Sequence, residues 1–207
     1  MPEIAFEEVA LFLPKYLSPT KQQGLWEEIK KFPAAFCFYD LTGALRQELL
    51  QGDGWRGFIA INFITLDKRT VSGVIISNTC DVNVKNKHDY TPNILFAPIL
   101  KLNAFGDLLT RNGLKPESIE SKLAEIRRQQ VSNIFFLPRQ EGLIEESIIL
   151  LDDIHHHPLD HFLQCEPAKL FTLSLAGFYL FLIKISSNYS GISVVNQTIK
   201  ADTSCHA

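Results

Sequence analysis

The run Asn78-Thr79-Cys80-Asp81 sets an amide, a hydroxyl, a thiol and a carboxylate on consecutive residues. It follows Gly73-Val74-Ile75-Ile76-Ser77, an apolar, β-branched stretch that reads as a strand, so these side chains are predicted where a rigid element opens to solvent. Two readings are open. In one, Asp81 is a base or hydrogen-bond acceptor with Cys80 as its thiol neighbour, and Asn78 and Thr79 are binding groups. In the other, Asn78 and Asp81 bond nearby backbone amides in an Asx-type turn, and Cys80 packs as a small hydrophobe. A catalytic thiol needs a helix N-terminus or an imidazole partner to hold its thiolate, and the sequence assigns neither.

A second concentration of chemistry is His155-His156-His157 with His161 and Cys165, preceded by Asp152-Asp153. Imidazole, thiolate and carboxylate are the usual ligands of zinc and related ions, but the spacing follows no standard zinc motif, so no metal is assigned. On a strand His155 and His157 share a face and His156 points away, with Pro158 ending regular pairing. They read as surface histidines on a barrel edge. Basic residues fall in pairs: Lys68 with Arg69, Arg127 with Arg128, Lys101 with Arg139. Together they would line an RNA-facing cleft with Trp55, Phe63 or Tyr90 as stacking surfaces, offset nearby by Glu145-Glu146 and Asp152-Asp153.

The elements that must position these groups follow from pattern. Ser18-Pro19 reads as an N-cap and first helical residue for a helix over residues 20–32, with Leu25, Ile29 and Phe32 on one face. Residues 34–39 read as a short strand and residues 45–50 as a helical turn. After the turn Gly52-Asp53-Gly54, strands are predicted over 58–64, 71–77 and 93–100, making a meander, with a polar loop over 81–92. A helix over 115–130, marked by Ile119, Leu123 and Ile126, reads as an insertion. Strands follow over 133–137 and 147–151, and an apolar helix over 169–185 closes the chain. Its all-round apolarity predicts full burial, with a second copy of the chain as one source of cover.

With 207 residues, 46% of them apolar, and 15 Phe against 1 Met, the chain is expected to fold as one domain around a rigid aromatic core. Residues 1–50 form a helical extension, 51–154 a barrel interrupted at about 106–130, and 155–207 the closing helix and tail. The class is mainly β with flanking helices, an α+β fold built on a small closed or nearly closed β-barrel. A net charge of -3 excludes a global attraction to nucleic acid or an anionic membrane. Cys37, Cys80, Cys165 and Cys205 lie far apart and are expected to be reduced thiols. The N-terminus lacks the features of a secretory signal and no segment reaches the length of a membrane span, so a cytoplasmic protein with no membrane contact is expected.

The Gly52-Asp53 turn before a strand, then Gly73-Val74-Ile75-Ile76-Ser77-Asn78, then Phe96-Ala97-Pro98-Ile99, then Glu146-Ser147-Ile148-Ile149-Leu150-Leu151-Asp152-Asp153-Ile154, resemble in order and spacing the MazF/PemK toxin family. The resemblance covers about residues 51–154. It implies an SH3-like barrel from a prokaryotic toxin-antitoxin or phage-defence system, an RNA ligand and metal-independent endoribonuclease chemistry, with no cofactor. That chemistry needs a cation for the charge developing on phosphorus and a group to manage the proton. Where the family has its Arg-Pro pair this chain has Val71-Ser72, and where the family has its Thr it has Leu100, followed by Lys101. Arg69 and Lys101 are the nearest cations. The candidate set is therefore Asp81, Arg69 and Cys80 as catalytic groups and Asn78, Thr79, Lys101 and Arg139 as binding groups. The alternative is a non-catalytic interaction module holding a cognate effector or antitoxin, and an enzyme acting through Cys80 and Asp81 is the third.

Overall fold

The computed structural model describes residues 18–32, 37–45, 47–62, 64–86 and 89–189. Residues 34–36 of the predicted strand over 34–39, Phe63, Cys205 and the tail lie outside the described residues. Seven strands form one antiparallel sheet, with six helices among the described residues, so the fold is mainly β within an α+β class. No helix among them is long and apolar enough to cross a membrane.

β1 (Gly54–Ile61) and β2 (Lys68–Ile75) pair as a hairpin. The register shifts between Arg56 and Phe58, and Gly57 occupies the bulge at φ +110°, a backbone conformation that favours glycine. β2 pairs in turn with β3 (Asn93–Lys101), Ile75 opposite Phe96. The far edge of β3 is shared. Its C-terminal half pairs with β5 (Ser147–Leu150), which carries β4 (Ile134–Leu137) outside it, and its N-terminal half pairs with β6 (His155–Pro158). The chain leaves the ladder between β5 and β6 opposite Ala97 and Pro98, where proline has no N–H to offer. β7 (Ala168–Phe171) covers the outer edge of β1, so the hydrogen-bonded path runs β4-β5-β3-β2-β1-β7.

Alternation along the central strands sends neighbouring residues to opposite faces and makes two cores. Val74 and Ala97 enter the larger one, with β4, β5, α1 (Pro19–Lys30), α3 (Leu102–Arg111), α4 (Pro116–Arg127) and α6 (Leu175–Tyr189). Ile75 and Phe96 enter the smaller one, which holds Trp55, Phe58, Ile94, Val82 of α2 (Thr79–Val82), and Leu159 and Phe162 of α5 (Leu159–Gln164). There the Phe58 ring stacks on Phe96 at 4.1 Å and on Phe162 at 4.4 Å, so three rings from β1, β3 and α5 lock the curl of the sheet.

Four predicted elements differ. α3 begins directly after β3, and its Phe105 and Leu109, like Ile119 and Ile126 of α4, lie in the larger core, so this helical pair is integral to the fold rather than an inserted decoration. The helix predicted over 169–185 is instead β7 followed by α6. Residues 168–171 take the pairing that β1 offers, and Ser174 Oγ accepts from Gly177 N at 3.0 Å to start the helix after them. Within the loop predicted over 81–92, residues 81–82 belong to α2, and of the helical turn predicted over 45–50 the described residues, 45 and 47–50, form no helix.

α4 and α6 are fastened by one polar chain. Gln129 donates through Nε2 to Phe136 O at 2.7 Å and accepts from Phe136 N at 3.0 Å, serving β4 as a strand partner would. Lys184 Nζ donates to Gln129 O at 2.8 Å and is only 8% exposed, and burial pushes its ammonium down to about 8 from 10.5. The unfolded chain therefore holds this proton over a range where the folded chain has lost it, so this residue's penalty on folding is relieved as pH rises from about 8 to 10.5. Chemical denaturation of wild type and Lys184→Met across that range is expected to show wild type gaining, relative to the variant, stability on the order of 3 kcal/mol.

Candidate functional site

The polar run after β2 is anchored by a turn more than twenty residues earlier. Gly52 N donates to Ile75 O at 2.8 Å and Ile75 N to Asp53 O at 2.9 Å, so the turn before β1 extends the ladder past the end of β2. Gln51 completes the join, its Nε2 donating to Ile76 O at 2.8 Å and its backbone N to Thr79 Oγ1 at 3.0 Å. Gly52 sits at φ +87°, and a Cβ there would stand 2.9 Å from Leu173 Cδ1, so the turn has room only for glycine.

Asp53 then points inward. It is 1% exposed, and its Oδ2 accepts from Lys169 Nζ at 2.6 Å and from Leu50 N at 3.0 Å, while Oδ1 is buried with no hydrogen-bond partner among the described residues. Burial raises the carboxyl above the ordinary aspartate range, opposed by Lys169, the Leu50 amide and Thr172. Lys169 spends its other donors on Leu45 O at 2.7 Å and Thr172 Oγ1 at 3.2 Å, and its ammonium lies 5.2 Å from the centre of the Trp55 ring.

Above this pair opens a cleft of about 820 Å³. Its walls are the segment 37–45, the turn 50–53, Thr79, and the junction of β7 with α6. That junction is drawn tight: Asp40 N donates to Thr172 O at 2.9 Å, Ser174 N to Phe38 O at 2.9 Å, and Gly177 packs against the Phe38 carbonyl with no room for a Cβ. The lining is mostly aliphatic and aromatic, and three leucines at the cleft, Leu41, Leu45 and Leu175, are 64%, 41% and 55% exposed.

The structure distributes the predicted site residues over three places. Thr79 reaches the cleft. Asn78 caps α2, its Oδ1 accepting from Cys80 N at 2.9 Å, which is the Asx-type arrangement, although Cys80 is exposed rather than packed. Asp81 is exposed beside it. Arg69 lies toward the opposite end of β2, in a shallow cleft with Asp152, Asp153 and His155. Lys101 and Arg139 are brought together in a third, with Arg127, Glu145 and Glu146. Arg127 there is committed to Glu146, with Nε to Oε1 at 3.0 Å and Nη2 to Oε2 at 2.8 Å, and that carboxylate raises its pKa. One pocket holding Asn78, Cys80, Asp81 and Lys101 is thus not formed. Antiparallel pairing puts residue 78 beyond the Asn93 end of β3, and Lys101 stands eight residues along at the other end, about 26 Å away at the rise of a strand.

The histidine run also differs from its sequence reading. His155 and His157 do share a face, with His156 exposed, but that face is the smaller core. His155 stacks on Phe96 and pairs with Asp153 at 3.0 Å, and His157 is 4% exposed. The site residues that pattern missed are Asp53 and Lys169. Their only sequence signal was a carboxylate set between two glycines just before a core strand.

Asp53→Ala leaves Lys169 buried without its counter-charge and is expected to cost about 3–5 kcal/mol in denaturant unfolding. The double variant Asp53→Leu with Lys169→Met, which removes both charges, is expected to recover most of that loss in the same measurement.

No family model matches the chain, and no curated protein matches it either.

Proposed function

We propose that the protein is a non-catalytic interaction module, of the kind a toxin-antitoxin or phage-defence system would use, and that the cleft over Asp53 and Lys169 receives apolar side chains of a cognate protein partner. The carrying observation is the set of exposed leucines, Leu41, Leu45 and Leu175, at a cleft of about 820 Å³ whose buried charges are already paired with each other. Such a surface gains by covering apolar area, at roughly 25 cal/mol for each Å² removed from water, and needs no reacting group. Its opening is wide enough for side chains of a folded partner, and the tight junction of β7 and α6 beneath it provides the preorganised wall that limits the entropy lost on docking.

RNA is the second reading, with or without cleavage. What favours it is the meeting of Lys101 and Arg139 beside Arg127, a local basic surface on a chain without net positive charge. Glu145 and Glu146 line the same cleft and weaken its field, and Arg69 and Asp81 lie elsewhere.

Selection of displayed random peptides against the wild-type protein, with Leu41→Asp/Leu175→Asp as the counter-target, separates the two. Peptides carrying paired large apolar residues are expected to be enriched and to bind the variant at least about tenfold more weakly, with unchanged circular dichroism. Incubation with single-stranded RNA in EDTA is the second arm. RNA binding or cleavage lost in Lys101→Ala/Arg139→Ala, with no peptide enrichment, would establish the nucleic-acid reading in its place.

A further inference from the structure

β6 runs into α5 with no intervening loop: Pro158 ends the strand and Leu159 begins the helix. His157, one residue before the end of β6, faces the smaller core opposite Ile94, and its ring is held between Phe58 and Phe162 at centroid distances of 6.3 and 5.8 Å. His161 lies in the first turn of α5 and Cys165 caps its C-terminus, four residues apart and so on one face of the helix. The turn of the chain at Pro158 folds that face over His157. His157 Nε2 then lies 2.7 Å from His161 Nδ1, Cys165 Sγ lies 3.7 Å from the same nitrogen, and all three atoms fall within 4.8 Å of one another.

We infer that His157, His161 and Cys165 bind one zinc-class divalent ion, which clamps α5 to β6 at the edge of the sheet. Tetrahedral zinc with its usual bond lengths separates two nitrogen ligands by about 3.3 Å and a nitrogen from a sulfur by about 3.6 Å. The distance from Cys165 Sγ to His161 Nδ1 already matches, the two imidazoles need to part by about half an ångström, and the thiol, within 4.8 Å of the His157 nitrogen, needs to close on it by at most about 1.2 Å. Two imidazoles and a thiolate select zinc, cobalt or nickel over magnesium and calcium, which take oxygen ligands. Binding exchanges the thiol proton for a metal–sulfur bond, with the proton leaving to solvent.

Two further observations point to a ligand rather than to packing. First, His157 is buried in an aromatic cage, yet its Nδ1 has no hydrogen-bond partner among the described residues. The ring is thus oriented by packing that aims Nε2 at His161 and Cys165. Second, the three positions grade from buried through half-buried to exposed, which leaves an ion a path from solvent and a fourth position for water. Asp160 is turned away from the cluster, accepting from Thr91 Oγ1 at 2.9 Å. The clamp has a use: α5 has six residues, far below the length at which a helix is stable alone, and its Phe162 completes the ring stack of the smaller core.

The test is titration of the untagged, reduced full chain with cobalt(II), read by absorbance, with zinc competition. Wild type is expected to take up one equivalent with a thiolate-to-cobalt charge-transfer band and the intense visible bands of tetrahedral cobalt. Cys165→Ser is expected to lose the charge-transfer band, and His161→Ala to weaken binding at least about tenfold, the loss that removal of even an outer-shell partner produces. Cys80→Ser and His156→Ala are expected to behave as wild type. A folded wild type that gives no charge-transfer band, or a band that survives Cys165→Ser, overturns the assignment.

Discussion

The buried pair of Asp53 and Lys169 is the constraint on which this end of the molecule depends. Asp53 introduces β1 and Lys169 stands in β7, so the pair spans the edge of the sheet, and the ammonium also gathers the carbonyl of Leu45 and the hydroxyl of Thr172. Two charges withdrawn from water carry a desolvation cost that only close geometry and further hydrogen bonds offset. Lys169 has those bonds. Asp53 has them at one oxygen only, and burial holds its carboxyl above the ordinary aspartate range despite an adjacent ammonium. The irregular segment 37–45 and the start of α6 are held in place through the same few groups, and the cleft is the space they leave.

The two cores divide the labour. The larger one is assembled from helices and the outer strands, and supplies most of the apolar burial. The smaller one mixes aliphatic side chains with four aromatics, and its central feature is a ring stack contributed by three elements distant in sequence. A six-residue helix holds the last ring of that stack, and its attachment to β6 through two imidazoles and a thiol is local in sequence. The proposed interaction surface and the proposed metal clamp therefore sit on different parts of the fold and do not rely on each other.

Much of the secondary structure was legible because its signals are local. Ser18-Pro19 opens α1, whose buried face carries the predicted Leu25 and Ile29, and the β-branched runs became β2, β3 and β5 within a few residues of their predicted bounds. Where prediction failed, a tertiary partner won. Residues 168–171 have no strand pattern of their own but meet the free edge of β1, and α3 is short enough that its stripe is visible only against the sheet it covers. The candidate site was less legible. Thr79 was singled out for its position at a strand end, and it does reach the cleft, but its partner there is the backbone of Gln51, and Asp53 in the lining is paired with Lys169, more than a hundred residues away.

The amino-acid sequence by itself determined the composition of the elements: which runs alternate, which helices carry a cap, and that histidines at 155 and 157 share a face. Only the tertiary structure decided which polar groups meet. Antiparallel pairing carried Lys101 away from Asn78 and left the predicted catalytic set apart, while the closing of β7 on β1 and of α5 on β6 brought together Asp53 with Lys169 and His157 with Cys165. Register and burial are properties of the whole sheet, set by the sum of many apolar contacts, so no local pattern of polar residues can announce them.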